Sequence, residues 1–219
     1  MKYLLITFTL LSSLEAFSQQ DDWKLRSISL GIYYSYVDYA KLNNIVTNLG
    51  FPEFNSSPFG ISYFGVSNKN KIELLFSSGL NGGTKQKDSA KSYMFEYFVD
   101  CSIGYRIVDK DKIGITPFIG VRGLLNGYWL SNNFANTSLS GVLVTQSDAY
   151  NFFSMRTSII TGAQIGLFKN KEGYDLVNIR FDITLWSPYT DFFRPGLTYD
   201  ETLLMKQGIY VYLGIYPGF

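Results

Sequence analysis

From residue 25 onward, apolar residues alternate with small or polar ones, position by position, over strand-length stretches. Only a β-strand sends successive side chains to opposite faces. The alternation therefore limits the chain to all-β architecture more tightly than any other feature. Segment 92–107 shows it best. Tyr93, Phe95, Tyr97, Val99, Cys101, Ile103, Tyr105 and Ile107 share one parity; Met94, Glu96, Phe98, Asp100, Ser102, Gly104 and Arg106 share the other. The same period predicts strands over 25–37, 58–66, 71–79, 113–128, 152–168, 175–187 and 204–216. In the second segment the alternation weakens near Gly65, which suggests a bulge there. Pro117 removes a ladder donor from the fifth, yet the alternation holds on both sides of it.

The predicted connections alternate in length. Those at 67–70, 108–112 and 169–174 are short, 80–91 is medium, and 38–57, 130–151 and 188–203 are long. Short turns at one end and long loops at the other are the habit of transmembrane barrels, and an even strand number puts both termini at the short-turn end. The first long connection contains DYAKLNNIVTNLG. Asp38 suits a helix N-cap, Gly50 suits C′, and Leu42, Ile45, Val46 and Leu49 fall on one helical stripe. A lid over a barrel mouth or an interfacial helix would use such a stripe; packing against neighbouring loops explains it as well and is the favoured reading.

Alternation alone does not say which face is wet. A soluble barrel surface is about 25–35% charged. Here the chain holds 17% Asp, Glu, Lys and Arg and an equal share of aromatics, and the polar parity is mostly Gly, Ser, Thr, Asn and Tyr. Many lysines sit in turns instead: Lys69, Lys71, Lys110, Lys112, Lys169 and Lys171. Aromatics collect at predicted strand ends, with Tyr36, Tyr93, Tyr128, Trp129, Phe152, Phe153, Trp186 and Tyr189 at the loop end. Tyr105, Phe168, Tyr174 and Tyr216 mark the turn end. Two such girdles are expected of a membrane barrel. A soluble periplasmic barrel binding a hydrophobic ligand would use the same alternation with its faces inverted.

Residues 1–18 have the layout of a cleaved secretory signal: Lys2, the apolar run 3–11 and the small-x-small site Ala16-Phe17-Ser18. Residues 19–219 then form one barrel domain. No cysteine follows the cleavage site, so a lipid anchor is not indicated, and the single Cys101 excludes an internal disulfide. A formal charge of +1 gives no reason to propose nucleic acid.

The chain ends in IYVYLGIYPGF. Lys206, Gly208, Val211, Leu213 and the terminal Phe219 resemble the C-terminal assembly signal of outer-membrane barrels, with Pro217-Gly218 as a departure before the last residue. With the signal segment, the whole mature chain resembles the small outer-membrane β-barrel proteins of Bacteroidota-type Gram-negative bacteria. It is more distantly similar to the barrel domain of OmpA and to OmpX. That resemblance implies an antiparallel up-and-down barrel of about eight strands, periplasmic termini, and outer-membrane lipid and the barrel-assembly machinery as partners.

The polar parity carries Glu73, Glu96, Asp100 and Asp182 with Arg106, Arg122, Arg156, Arg180 and Lys206. Depth counted from the turns pairs Glu73 with Arg106 and Asp100 with Arg122. Buried charges need such partners, and eight strands leave an interior that side chains just fill. A charged plug is therefore favoured over an ion path. The chain has no histidine, which removes a Ser-His-Asp triad and any His-ligated metal. The small outer-membrane enzymes of the resembled families rely on histidine, so the resemblance implies a non-enzyme. Cys101 falls on the apolar parity, where packing is its expected role. Asp191, Asp200 and Glu201 in the last long loop are expected to be solvated rather than to hold a cation. No cofactor or metal is expected. The reading that follows is an interaction barrel offering its loops to a surface protein or ligand, with a narrow channel as the alternative.

Overall fold

The computed structural model describes residues 23–36, 39–54, 59–132, 150–171, 173–186, 190–194, 197–203 and 209–216. Its strands are β1 (Lys24–Tyr36), β2 (Phe59–Lys69), β3 (Ile72–Lys87), β4 (Ala90–Tyr105), β5 (Val108–Asp109), β6 (Ile113–Asn132), β7 (Tyr150–Lys169), β8 (Asp175–Trp186), β9 (Thr190–Arg194), β10 (Leu197–Leu203) and β11 (Ile209–Ile215). One helix, α1 (Ala40–Asn48), lies between β1 and β2.

Eight strands close a ring in the order β1, β2, β3, β4, β6, β7, β8, β11, every neighbour antiparallel. Closure is made where Leu30 to Tyr36 of β1 pair with Ile215 to Ile209 of β11. A closed ring has no unpaired edge, which a strand meeting hydrocarbon requires. β5 extends the β4 stave along β6. β9 pairs with β7 above the end of β8, and β10 pairs with β9. β1 starts, and β11 finishes, at the end that carries the short turns.

Several connections differ from the sequence reading. The stretch 80–91 is mostly ladder, with β3 and β4 paired out to Lys87 and Ala90 around a tight turn at Asp88, φ +53°. The last long connection contains the β9–β10 hairpin. No bulge occurs at Gly65, which pairs in register with both Ile28 and Phe76. The alternation fades there because Phe64 and Val66 point inward and are buried. The irregularities lie instead between Leu25 and Ser27 and between Ile159 and Ile160. Pro117 stays in register opposite Ala163 with its ring outward.

The polarity is inside out. Leu30, Ile32, Ile61, Ile103, Ile119, Val121, Phe181, Ile183 and Leu213 point outward and are between 44% and 67% exposed. Between the strand ends, the outward positions of the described residues carry no Lys, Arg, Asp or Glu. Inward positions are buried Ser, Thr, Asn, Gln, Tyr and charged residues, interspersed with apolar side chains such as Phe64, Leu75, Met94, Phe98 and Phe118.

Helix α1 folds into the barrel mouth. Its N-cap is Tyr39, and no side chain caps it; Asp38 lies outside the described residues. Gly50 adopts φ +85°, the left-handed conformation that ends a helix at little cost to glycine. Leu42 and Val46 are buried with Tyr39, Phe51 and Phe54 against Met94, Tyr128 and Tyr210, whereas Ile45 and Leu49 are exposed. The stripe is thus half used, and what it docks on is the barrel interior. Asn43 clips the return of the loop: its amide donates to Phe54 O at 3.3 Å, and its Oδ1 accepts Phe54 N at 2.8 Å.

Candidate functional site

The lumen gathers its charges at separate depths. The first cluster sits at the turn end. Arg106 donates to Glu73 Oε1 at 3.0 Å and grips both carboxylate oxygens of Asp175 at 3.1 Å. Thr116 donates to the other oxygen of Glu73 at 2.6 Å. A fork-to-fork contact needs a flat space, and two paired glycines supply it. A Cβ on Gly114 would fall inside the Arg106 guanidinium, and one on Gly166, its register partner, would strike the Asp175 carboxylate.

Arg26 joins this cluster from β1, a position the parity of Ile28 and Leu30 assigns to the outer face. The irregularity between Leu25 and Ser27 inserts it as an extra residue and turns it inward. It reaches Asp109 at 2.7 Å and lies 3.6 Å from both Glu73 and Asp175. Lys169 also binds Asp109. Partial burial works against ionising Asp109, but the Lys169 hydrogen bond and the charges of Arg26 and Arg106 outweigh it and hold the carboxyl below its usual range.

A second layer lies near mid-barrel. Arg122 donates to Asp100 Oδ2 at 2.9 Å and to both oxygens of Asp182 at 2.9 and 2.8 Å, and its Nη2 donates to the Tyr212 hydroxyl at 2.6 Å. Arg180 stands 3.1 Å from Asp100 and 3.2 Å from Asp182, and donates to Ser77. The layer holds two cations and two anions, so it is neutral. Aromatic faces sandwich it: Arg122 lies 4.1 Å from the Tyr210 ring centre, and Arg180 lies 4.4 Å from that of Phe118. All four charged side chains are essentially buried. Between the two charged levels lies a small apolar floor of Leu75, Phe118 and Ile160.

Toward the loop end comes a weaker polar tier. Glu96 is flanked in register by Asn81 and Asn126 on its two neighbouring strands. Its Oε1 accepts the Asn81 amide at 3.3 Å. Arg156 is buried here too, and Tyr33, Phe98, Tyr210 and Tyr212 pack as a ring stack below α1.

Of the charges read from the sequence, Glu73 and Arg106 meet, as do Asp100 and Arg122, while Arg180 and Asp182 join the mid-barrel layer. Arg26, Asp109 and Asp175 belong to the lumen chemistry and were not singled out by parity. Lys206, Gly208 and Phe219 lie outside the described residues, as do the side chains of Asp191, Asp200 and Glu201. Val211 and Leu213 point outward from β11, between Phe181 and Tyr34 and between Ile179 and Ile32. Cys101 is exposed on the outer face. The girdle reading needs one correction: Tyr128 is inward and fully buried, because its parity is that of Asn126. Tyr36, Tyr93 and Trp186 are exposed near the loop end, and Tyr105 and Phe168 at the turn end. Tyr174 stacks flat on Tyr216, 5.3 Å away. Among the described residues no cluster of His, Cys, Asp and Glu has a metal-holding arrangement.

An apolar exterior, a largely polar and charge-bearing lumen, and a closed ring of eight antiparallel strands define the class: a small inside-out β-barrel. No protein-family model and no curated protein sequence matches the chain. Among solved structures it is similar to Ail, the attachment invasion locus protein of Yersinia pestis, with a TM-score of 0.48 and 15% identity over 88% of this chain and 97% of that one. The same protein in complex with the heparin analogue sucrose octasulfate gives 0.47. Neisserial surface protein A gives 0.44 at 8% identity, over 89% of this chain and 96% of that one.

Proposed function

We propose that the chain is an integral outer-membrane barrel, exported by residues 1–18 as a cleaved signal, whose lumen is closed and whose loop end binds a partner or surface ligand. The inside-out polarity carries the membrane part. A soluble barrel would set its exposed isoleucines and phenylalanines against water across its whole girth, far beyond the apolar patches that soluble monomers tolerate. The turn end, with both described termini, then faces the periplasm, where the assembly machinery would meet β11. The reading carries no catalysis: the chain lacks the histidine on which the small outer-membrane enzymes of the resembled families rely.

Closure is supported by two barriers in series. The Arg122–Asp182–Asp100–Arg180 layer spans the lumen from three strands, and α1 with Phe51 and Phe54 fills the mouth. A permeant ion would have to break a neutral, fully paired set of buried charges, which costs several kcal/mol. The interaction role is supported by the height of the outer wall: β3, β4, β6 and β7 continue beyond the level where the β1–β11 ladder ends. Fractionation with gel mobility before and after boiling tests the location; recovery as a soluble periplasmic protein would sink it. Planar-bilayer recording tests closure. No steady conductance is expected from the wild type, and a stable open level that changes with Glu73→Gln would establish the channel alternative.

A further inference from the structure

The turn end carries a group of exposed lysines. Lys69 and Lys71 flank the β2–β3 turn, where Asn70 adopts φ +58°. Lys24 lies beside them, paired with Asn68. Arg106 N donates to Lys71 O at 2.7 Å, which sets the β4–β6 connection with Lys110 and Lys112 against this turn. All five lysines are exposed. The exposed carboxylates described nearby are Asp109 and Asp111, and Asp109 is engaged by Arg26, Arg106 and Lys169.

Just above this patch the outer surface is indented. Ile72, Ile103, Tyr105, Pro117 and Ile119 line a shallow, open apolar depression of about 410 Å³. The depression follows from the residues: the compact ring of Pro117 sits among taller isoleucines, and Tyr105 stands at the rim, opposite Ile72 in register. Along the barrel axis the order is apolar depression, phenol, ammonium groups. A bilayer leaflet presents acyl chain, interface and phosphate in that same order.

We propose that this is a binding site for an anionic phospholipid, one acyl chain in the depression and the phosphate among Lys69, Lys71, Lys110 and Lys112. Lysines on flexible stems suit a mobile phosphate, which needs charge rather than a fixed fork. A similar outer depression at the loop end, lined by Ile32, Phe59, Ile61, Leu80, Tyr93 and Phe95, has Lys85, Lys87 and Lys91 above it on the β3–β4 ladder, Lys85 being paired with Glu53, and serves as the internal comparison.

The site rests on the membrane reading above. Cys101, the lone cysteine, points outward on β4 two residues from Ile103 and can carry a fluorophore attached before refolding. The labelled protein is refolded into phosphatidylcholine vesicles containing brominated phosphatidylglycerol or brominated phosphatidylcholine, and quenching gives the relative association constant. A preference of about threefold or more for phosphatidylglycerol is expected at this reporter, since each lysine near a surface attracts anionic lipid appreciably. It should fall to about one in the Lys69→Gln, Lys71→Gln, Lys110→Gln, Lys112→Gln variant, and stay near one for a reporter at Leu80→Cys in Cys101→Ser. Equal association of both lipids, equal preference at both reporters, or a preference that survives the glutamines overturns the site. A barrel that inserts, by its heat-dependent mobility, yet shows no preference leaves the membrane reading standing; a chain that does not insert overturns both.

Discussion

At the scale of single residues, the lumen is governed by the cost of burying charge. Asp100 and Asp182 both depend on Arg122, which reaches each with its guanidinium while Tyr210 covers its face. Arg122→Ala strands two carboxylates beside one remaining cation, and is expected to destabilise the barrel by about 3–5 kcal/mol. Urea unfolding in vesicles measures this, and a loss under about 1 kcal/mol would show that water already reaches the layer. Glu73 with Arg106 and Asp100 with Arg122 were legible in the sequence because each pair lies on neighbouring staves with short connections or a shared depth. Asp182 was not legible as a partner of Arg122, because β7 stands between β6 and β8 and only the closed lumen brings the two side chains together. Arg26 was hidden by its own parity: one inserted residue moved it from the outer face to the inner one.

At the scale of elements, α1 is the part whose role depends most on its surroundings. Its length and its glycine stop were readable, since both follow from local backbone preference. Its docking into the mouth was not, because the surface it covers is assembled from β4, β6 and β11 together. The hinge of that docking is the double hydrogen bond between Asn43 and the Phe54 main chain. Asn43→Ala removes both bonds, a local loss of about 1–3 kcal/mol. Limited proteolysis should then cut between β1 and β2 several times faster, with the boiled and unboiled gel mobilities unchanged. Equal cleavage rates would mean that the apolar contacts of Leu42 and Val46 hold the loop alone. The β3–β4 connection shows the converse limit. Its outer half is rich in Gly, Thr, Lys and Gln, so apolar alternation disappears although the ladder runs on to Lys87. Above the apolar band neither face is greasy, and periodicity has nothing to report.

At the scale of the molecule, the decisive property is the direction of the apolar face. Val121 points outward at mid-barrel, 51% exposed, next to the inward Arg122. In a bilayer Val121→Arg is expected to cost about 2–4 kcal/mol, because the charge would sit near the midplane. The same change on a soluble barrel would be close to neutral. Reversible folding in lipid vesicles across a urea series separates the two, and a neutral result would remove the lipid face from this account. By itself, the sequence determined the eight ring strands, their two parities and the scarcity of outward charge, since each depends on neighbours a few residues apart, but it misjudged the 80–91 connection and missed the β9–β10 hairpin. Tertiary structure decided which charges meet, that Arg26, Asp109 and Asp175 join them, and that α1 and Tyr128 close the mouth. Those outcomes depend on ring closure, strand stagger and one inserted residue, which set distances across the lumen that no local period encodes.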